Sequence, residues 1–255
     1  MKNVLYLALL LLQTAPAFGA GAPLRVCSLS LAPQTMQGAD GAPTGYAVEI
    51  LQHVARELRW NIRIDYLPWA RVVSEIRAKR CDMAMTVLHF KDYAEFMLFP
   101  RQSILDQKNV LVVRRGSRIR YGGDLEQFMR RHSIGLYVDK RVNDEFERLR
   151  AAAWAVVDTA PSAVLNAKKL LFHRFDALIE NDLSAIYEMR KLGRLADIEI
   201  LSPPLSVAPA YIVFSQAAES KARARAYDEA LASFKRTARF RALTNRYLPD
   251  ASIAD

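Results

Sequence analysis

The chain has 255 residues, 51% hydrophobic and 25% charged, with a formal net charge of +9. That is an ordinary globular balance, able to bury a proper core. Beyond the first residues no stretch is apolar enough for a helix to cross a bilayer, so a water-soluble folded product is expected.

Met1-Lys2-Asn3 carries one positive side chain ahead of an apolar run from Val4 to Leu12, and Gln13 to Ala20 ends in small residues. These are the n-region, h-region and cleavage site of a secretory signal, with cleavage expected after Gly19 or Ala20. No Cys stands at the cleavage point, so a soluble rather than lipid-anchored product is expected. Export removes nucleic acid as the partner for the positive charge. Residues such as Lys221, Arg223 and Arg225 read as solvated helix faces, the alternative being a basic cluster that meets an anionic ligand or lipid.

After Gly45-Tyr46-Ala47-Val48-Glu49 a helix is predicted, with Ile50, Leu51, Val54 and Leu58 on one face; Ile62, Ile64 and Tyr66 then alternate as a half-buried strand. Leu67-Pro68-Trp69-Ala70-Arg71 opens a short helix that buries Val72, Val73 and Ile76. Lys79-Arg80-Cys81-Asp82 leads into Met83, Ala84, Met85 and Val87, a strand buried on both faces, as a helix-flanked parallel sheet requires. Phe96-Met97-Leu98-Phe99-Pro100 makes a turn, and 109–113 is a strong strand. A second α/β unit follows, with a strand at 133–138, a helix at 143–153, a strand at 155–157 and a helix at 162–172. A strand at 175–179 then ends on Glu180-Asn181-Asp182, where such sheets place ligand contacts. Pro203-Pro204 interrupts the chain and a strand returns at 210–214. A long helix carrying Ala226, Tyr227, Ala230, Leu231 and Phe234 precedes a last one with Phe240, Leu243 and Tyr247.

Gly45-Tyr46, Trp69, Arg80-Cys81-Asp82 and Phe99-Pro100, in that order and at those spacings, resemble the landmarks of the family 3 solute-binding proteins. These are the amino-acid-type periplasmic receptors of ABC importers, and the resemblance covers nearly the whole chain after the leader. It implies an α/β architecture of two Rossmann-like lobes joined by two crossover strands, the type 2 periplasmic-binding-protein fold. The crossovers are expected near 108–113 and 208–214, giving a leader at 1–20, one lobe at 21–110 and 208–255, and the other at 111–207. Paired connections make a hinge, so closure over a small solute is the expected motion. The implied partners are a small-molecule ligand and an ABC permease or a membrane sensor, for a periplasmic monomer with no cofactor. In that fold the strands next to Cys27 and Cys81 are neighbours, which leaves two readings: a disulfide, or two buried free thiols.

Catalytic signatures are missing: there is no Gly-x-Ser-x-Gly elbow, no Gly-x-x-x-x-Gly-Lys loop and no His-Glu-x-x-His. His53, His89, His132 and His173 are scattered, with no metal-ligand spacing. Within the resembled family an Arg past the third strand clamps the ligand's α-carboxylate and acids from both lobes hold its α-ammonium. Here Val87 to Ala94 contains no Arg; Lys91 is the nearby cation and Tyr93 stands about where the Arg is expected. Ser28-Leu29-Ser30-Leu31 likewise lacks the acid. The amino-acid assignment is therefore weakened, and organic acids, modified amino acids, amines and peptide fragments stay open. The resemblance maps ligand contacts onto Trp69 (a cleft wall or a core residue), Arg71 (facing the cleft or covering the helix start), Thr86, Lys91 and Tyr93. In the second lobe it maps them onto the loop Tyr137, Asp139, Lys140, Arg141, which in the family points amides at an anion, and onto Glu180, Asn181 and Asp182. The expected function is capture of a small polar solute, amino-acid-like or an organic acid, for an ABC importer. The alternative is a degenerate receptor acting as a sensor or accessory.

Overall fold

A computed structural model of the chain describes residues 22–248; the secretory leader read at 1–20 lies outside the described residues. The first lobe begins with β1 (Leu24–Ser28), a hairpin of β2 (Met36–Gln37) and β3 (Pro43–Thr44), and helix α1 (Tyr46–Glu57). Gly45 precedes α1 at φ 117, in the left-handed region that glycine alone enters freely. A Cβ there would lie 2.6 Å from the Gln34 carbonyl oxygen. Without one, the Tyr46 and Ala47 N–H groups donate to the carbonyls of Pro33 and Gln34, at 3.0 and 2.9 Å. The orphan donors of the helix start are thus satisfied by the loop ahead of it, and that loop is pinned in place.

Next come β4 (Ile62–Tyr66), α2 (Trp69–Arg77), β5 (Met83–Leu88) and the short β6 (Met97–Leu98). β1 runs parallel to β4 and β5, with the apolar faces of α1 on one side and α2 on the other. Cys27 and Cys81 are joined as a disulfide, Cα atoms 6.0 Å apart, in the core beneath α2.

β7 (Leu105–Arg114) carries the chain into the second lobe. There α3 (Leu125–Arg131), β8 (Ile134–Tyr137), α4 (Asp144–Arg150), β9 (Val157–Ala160), α5 (Ala163–Leu171), β10 (Ala177–Asn181), α6 (Asp182–Lys191) and β11 (Ile198–Ile200) follow. β12 (Ser206–Ser215) returns, and α7 (Ser220–Lys235) and α8 (Ala238–Tyr247) close the first lobe against α1. The sheet runs β4-β1-β5-β12-β7-β10-β8-β9. β12 pairs with β5 through Ala210–Phe214 and with β7 through Ser206–Ala210, while β7 continues against β10 from Asn109 to Val113. These two long strands are the crossovers.

Three local differences from the sequence reading have physical causes. The strand expected at 155–157 lies at Val157–Ala160, because parallel pairing with β8 aligns Ile134 with Val157 and Tyr137 with Ala160. β9 is the edge of the sheet, so it accepts Asp158 and Thr159, while Val156 stays 61% exposed. The strand expected at 175–179 runs two residues later, since Phe175 leaves the ladder to pack in the core. Helices α3 and α6 were unmarked; the buried residues of α6 are Ser184, Ala185 and Met189, too polar a set to make an apolar stripe.

Behind the sheet, Glu75 on α2 is only 2% exposed and is surrounded by three guanidinium groups. Arg80 donates at 2.9 and 3.0 Å, Arg25 at 2.9 Å, and Arg71 approaches to 2.8 Å. The Arg80 hydrogen bonds, ahead of those from Arg25 and against the opposing effect of burial, hold the carboxyl near a pKa of about 2 instead of its ordinary 4.5. A depressed folded-state pKa contributes stability above the unfolded value and loses it as pH falls through the folded one. Thermal melts between pH 4.5 and 2 are expected to fall more steeply for the wild type than for Glu75→Gln; parallel slopes would remove Glu75 from the acid response.

Candidate functional site

A cavity of about 480 Å3 opens between the lobes at the carboxyl ends of the parallel strands, the position where open α/β sheets place ligands. Its volume is in the range of small-molecule sites. The first lobe contributes the 29–32 loop after β1, Tyr66 to Trp69 after β4, and Thr86, Leu88, Phe90 and Tyr93 from β5 and the turn beyond it. From the second lobe come Tyr137, Asp139, Lys140 and Arg141 after β8, residues 161–164 entering α5, Glu180 ending β10 and Glu188 on α6. Gln107 reaches in from the crossover strand β7.

Thr86 owes its position to a bulge. Met85 and Thr86 on β5 stand opposite the single residue Ile212, since Val87 pairs with Tyr211 and Ala84 with Val213. Such an insertion bends a strand and re-aims a side chain. Thr86 takes φ 57, an uncommon and costly value for a β-branched residue, and its hydroxyl donates to the Met85 carbonyl at 2.7 Å. The strain sits on the cavity wall.

That wall is aromatic. Trp69 Nε1 donates to the Tyr93 hydroxyl at 3.1 Å, and Phe90 meets Tyr93 edge-on with ring centres 5.6 Å apart. From the opposite lobe the Arg141 guanidinium lies 4.0 Å over the Phe90 ring and 5.4 Å from that of Tyr93, a cation–π arrangement. Arg141 Nη1 also donates to both Asp92 carboxylate oxygens at 2.9 Å. Burial opposes the charge on Asp92, but the hydrogen bond and charge of Arg141 hold its carboxyl below the usual range. Two further contacts cross the cleft: Gln34 Nε2 donates to Asn181 Oδ1 at 3.1 Å, and the Ser184 hydroxyl to the Ala32 carbonyl at 2.6 Å. The lobes are shut.

Deeper in, Lys140 Nζ lies 3.0 Å from Glu180 Oε1, both nearly buried, and the Asn181 N–H donates to the same oxygen at 2.8 Å. Burial pushes the Tyr66 phenol up to about 12 while its hydroxyl donates to the Met36 carbonyl at 2.6 Å. Burial and the charge of Asp139 raise the Tyr137 phenol, the Trp69 backbone working the other way.

Of the residues singled out in the sequence, Trp69, Thr86, Tyr93, Tyr137, Arg141 and Glu180 come together around this cavity, with Asp139 and Lys140. Four do not reach it. Arg71 is exposed and turns along α2 to Glu75. Lys91 is exposed in the turn after β5. Asn181 is buried as the cap of α6, accepting from the Ser184 N–H at 3.2 Å and from Gln34. Asp182 begins α6 and accepts from the Leu183 N–H at 2.8 Å, its carboxyl raised by burial. The start of α4 is closed to an anion, since Asn143 accepts from the Phe146 N–H at 2.8 Å and the first turn carries Asp144, Glu145 and Glu147. Sequence reasoning passed over Gln107, Glu188 and Asp92. The first lies mid-strand, the second on an unmarked helix, and the partner of the third is 49 residues away; no local pattern marks any of them.

Solved structures share this architecture. A histidine kinase sensor domain with similarity to periplasmic binding proteins superposes with a TM-score of 0.76 at 17% identity, covering 89% of this chain and 96% of that one. The substrate-binding protein of an amino acid ABC transporter gives 0.75 at 14% identity, covering 90% and 100%. The arginine-, lysine-, histidine-binding protein ArtJ from the thermophilic bacterium Geobacillus stearothermophilus gives 0.73 at 17%, covering 90% and 96%. At such identities the likeness establishes the fold, that of type 2 periplasmic binding proteins. No curated protein matches the chain. The model of the bacterial extracellular solute-binding proteins, family 3, matches residues 24–250, and the chain belongs to that family.

Proposed function

We propose that this chain is a periplasmic receptor that closes its two lobes, 21–110 with 208–255 and 111–207, around a small solute and delivers it to an ABC importer without transforming it. The observation that carries this reading is the cavity itself, walled by both lobes and placed beside the paired crossovers β7 and β12. Hinged closure around such a site is a recurrent domain motion. No His or Cys lines the cavity among the described residues, so Ser30 and Ser162 have no imidazole base there. A blank in calorimetric titration against a broad solute library, with no compaction by X-ray scattering in any mixture, would sink the reading.

A second reading keeps the capture and changes the listener. The sensor domain of a histidine kinase has the same fold, and the cavity serves a signalling partner equally well. Uptake of labelled ligand by cells lacking the gene separates the two: lost uptake supports import, and normal uptake with a lost transcriptional response supports sensing.

Trp69 is the aromatic anchor in either case. Trp69→Ala is expected to weaken ligand binding by about 1 to 3 kcal/mol through lost apolar contact. Titration calorimetry on the folded variant checks this, and unchanged affinity would place the ring outside the bound ligand's reach.

A further inference from the structure

The chain as a whole is strongly basic, yet its cavity is not. Asp139, Glu180 and Glu188 line it together with Lys140 and Arg141, and each of the two cations is already paired within the protein. Lys140 is held by Glu180 at 3.0 Å, and Arg141 by Asp92 at 2.9 Å. Asp92 thus supplies the carboxylate that an Arg at this position would otherwise seek in a ligand. Asp139 and Glu188 are left over: neither has an ion-pair partner among the described residues. Burial pushes the Glu188 carboxyl up; Lys191 eases it and the charge of Glu180 adds to it.

A second observation points the same way. Gln107 lines the cavity, is 6% exposed, and its buried Oε1 has no hydrogen-bond partner among the described residues. An orphaned buried acceptor costs free energy until a donor arrives, and the cavity is the side from which one can come. The opposing feature is the start of α5, where residues 161–164 reach the cavity. A helix N-terminus carries about half an elementary charge, and the Ser162 hydroxyl already accepts from the Leu165 N–H there at 3.3 Å. Two unpaired carboxylates outweigh it.

Building on the capture function above, we propose that the cavity selects an organic cation with an apolar body and no carboxylate. Such an amine turns its N–H groups toward Asp139, Glu188 and the Gln107 amide, while its body rests on Trp69 and Phe90. The aromatic wall contributes on its own account, since ring faces attract cations.

Titration calorimetry with matched probes tests this: 2-phenylethylamine against L-phenylalanine and 3-phenylpropanoate, tryptamine against L-tryptophan, and agmatine against L-arginine. At least one amine is expected to bind about tenfold tighter than its carboxylate-bearing counterpart, the difference one charge-assisted hydrogen bond makes. Asp139→Asn and Glu188→Gln, both half-buried and checked for folding by thermal melts, are each expected to weaken that amine by about tenfold. Asp92→Asn frees Arg141 and is expected to raise the affinity of the carboxylate-bearing partner by a similar factor. Tighter binding of the amino acids or of 3-phenylpropanoate by the wild type overturns the cation assignment while leaving solute capture standing. Amine affinity unmoved in both carboxylate variants overturns it as well, as does an Asp92→Asn variant with no gain for the acids. Silence from every probe, acids and amines alike, counts against the cation assignment and the capture reading together.

Discussion

Replacing Cys27 and Cys81 together with alanine lowers the stability of the chain by about 4 kcal/mol. The bridge spans a sequence separation of 54, and closing a loop of that size removes about this much conformational freedom from the unfolded chain in the loop-entropy account. The site also matters. Both cysteines are buried with Val72, Ile76 and Ala84 beneath α2, so the bridge ties β1 to the entry of β5 inside a packed cluster. Urea unfolding measures the effect, and reductant provides the control. Dithiothreitol should destabilise the wild type by a comparable amount and leave the double variant where it was. A wild type whose midpoint ignores reductant under unfolding conditions would show that the bridge contributes nothing.

Gly135→Ala is the second large effect, at about 3 kcal/mol. A Cβ on Gly135 would stand 2.1 Å from Cζ of Phe175 and within 2.5 Å of two more ring carbons. Phe175 is 2% exposed and packed against Leu170, Leu178 and Met189, so its ring has no free space to enter. Either β8 moves or the core does. β8 ends at Tyr137 and leads directly to Asp139, Lys140 and Arg141, so the strain is also delivered to the cavity, and ligand affinity is expected to fall with stability. The double variant with Phe175→Leu, which removes the colliding ring, should be more stable than Gly135→Ala alone. A single variant within about 0.5 kcal/mol of the wild type would mean that the strand absorbs the methyl group without cost.

The fold was legible in the sequence wherever burial leaves a period. The apolar face of α1, the alternation of β4 and the doubly buried β5 each come from one repeating contact with the core. β9 was misplaced because its position follows from register against β8, not from its own apolar content, and α6 was invisible because its inner face is small and polar. The cavity was legible in part for the same reason. Trp69, Thr86 and Glu180 sit at strand ends or helix starts, which pattern locates. Arg141 and Asp92 meet only after the lobes come together, so the loss of an Arg near Tyr93 read as a missing cation. In space a guanidinium from the other lobe stands over that ring.

The contact between Arg141 and Asp92 has one more consequence. Its side chains remain 31% and 53% exposed, so the pair is worth about 1 kcal/mol or less and favours the joined lobes over separated ones by about fivefold at most. The tie is light, and it works beside two neutral ones, Gln34 with Asn181 and Ser184 with Ala32. Because it is electrostatic and wet, salt slackens it, so rising ionic strength loosens this one tie between the lobes and leaves the two neutral ones unchanged.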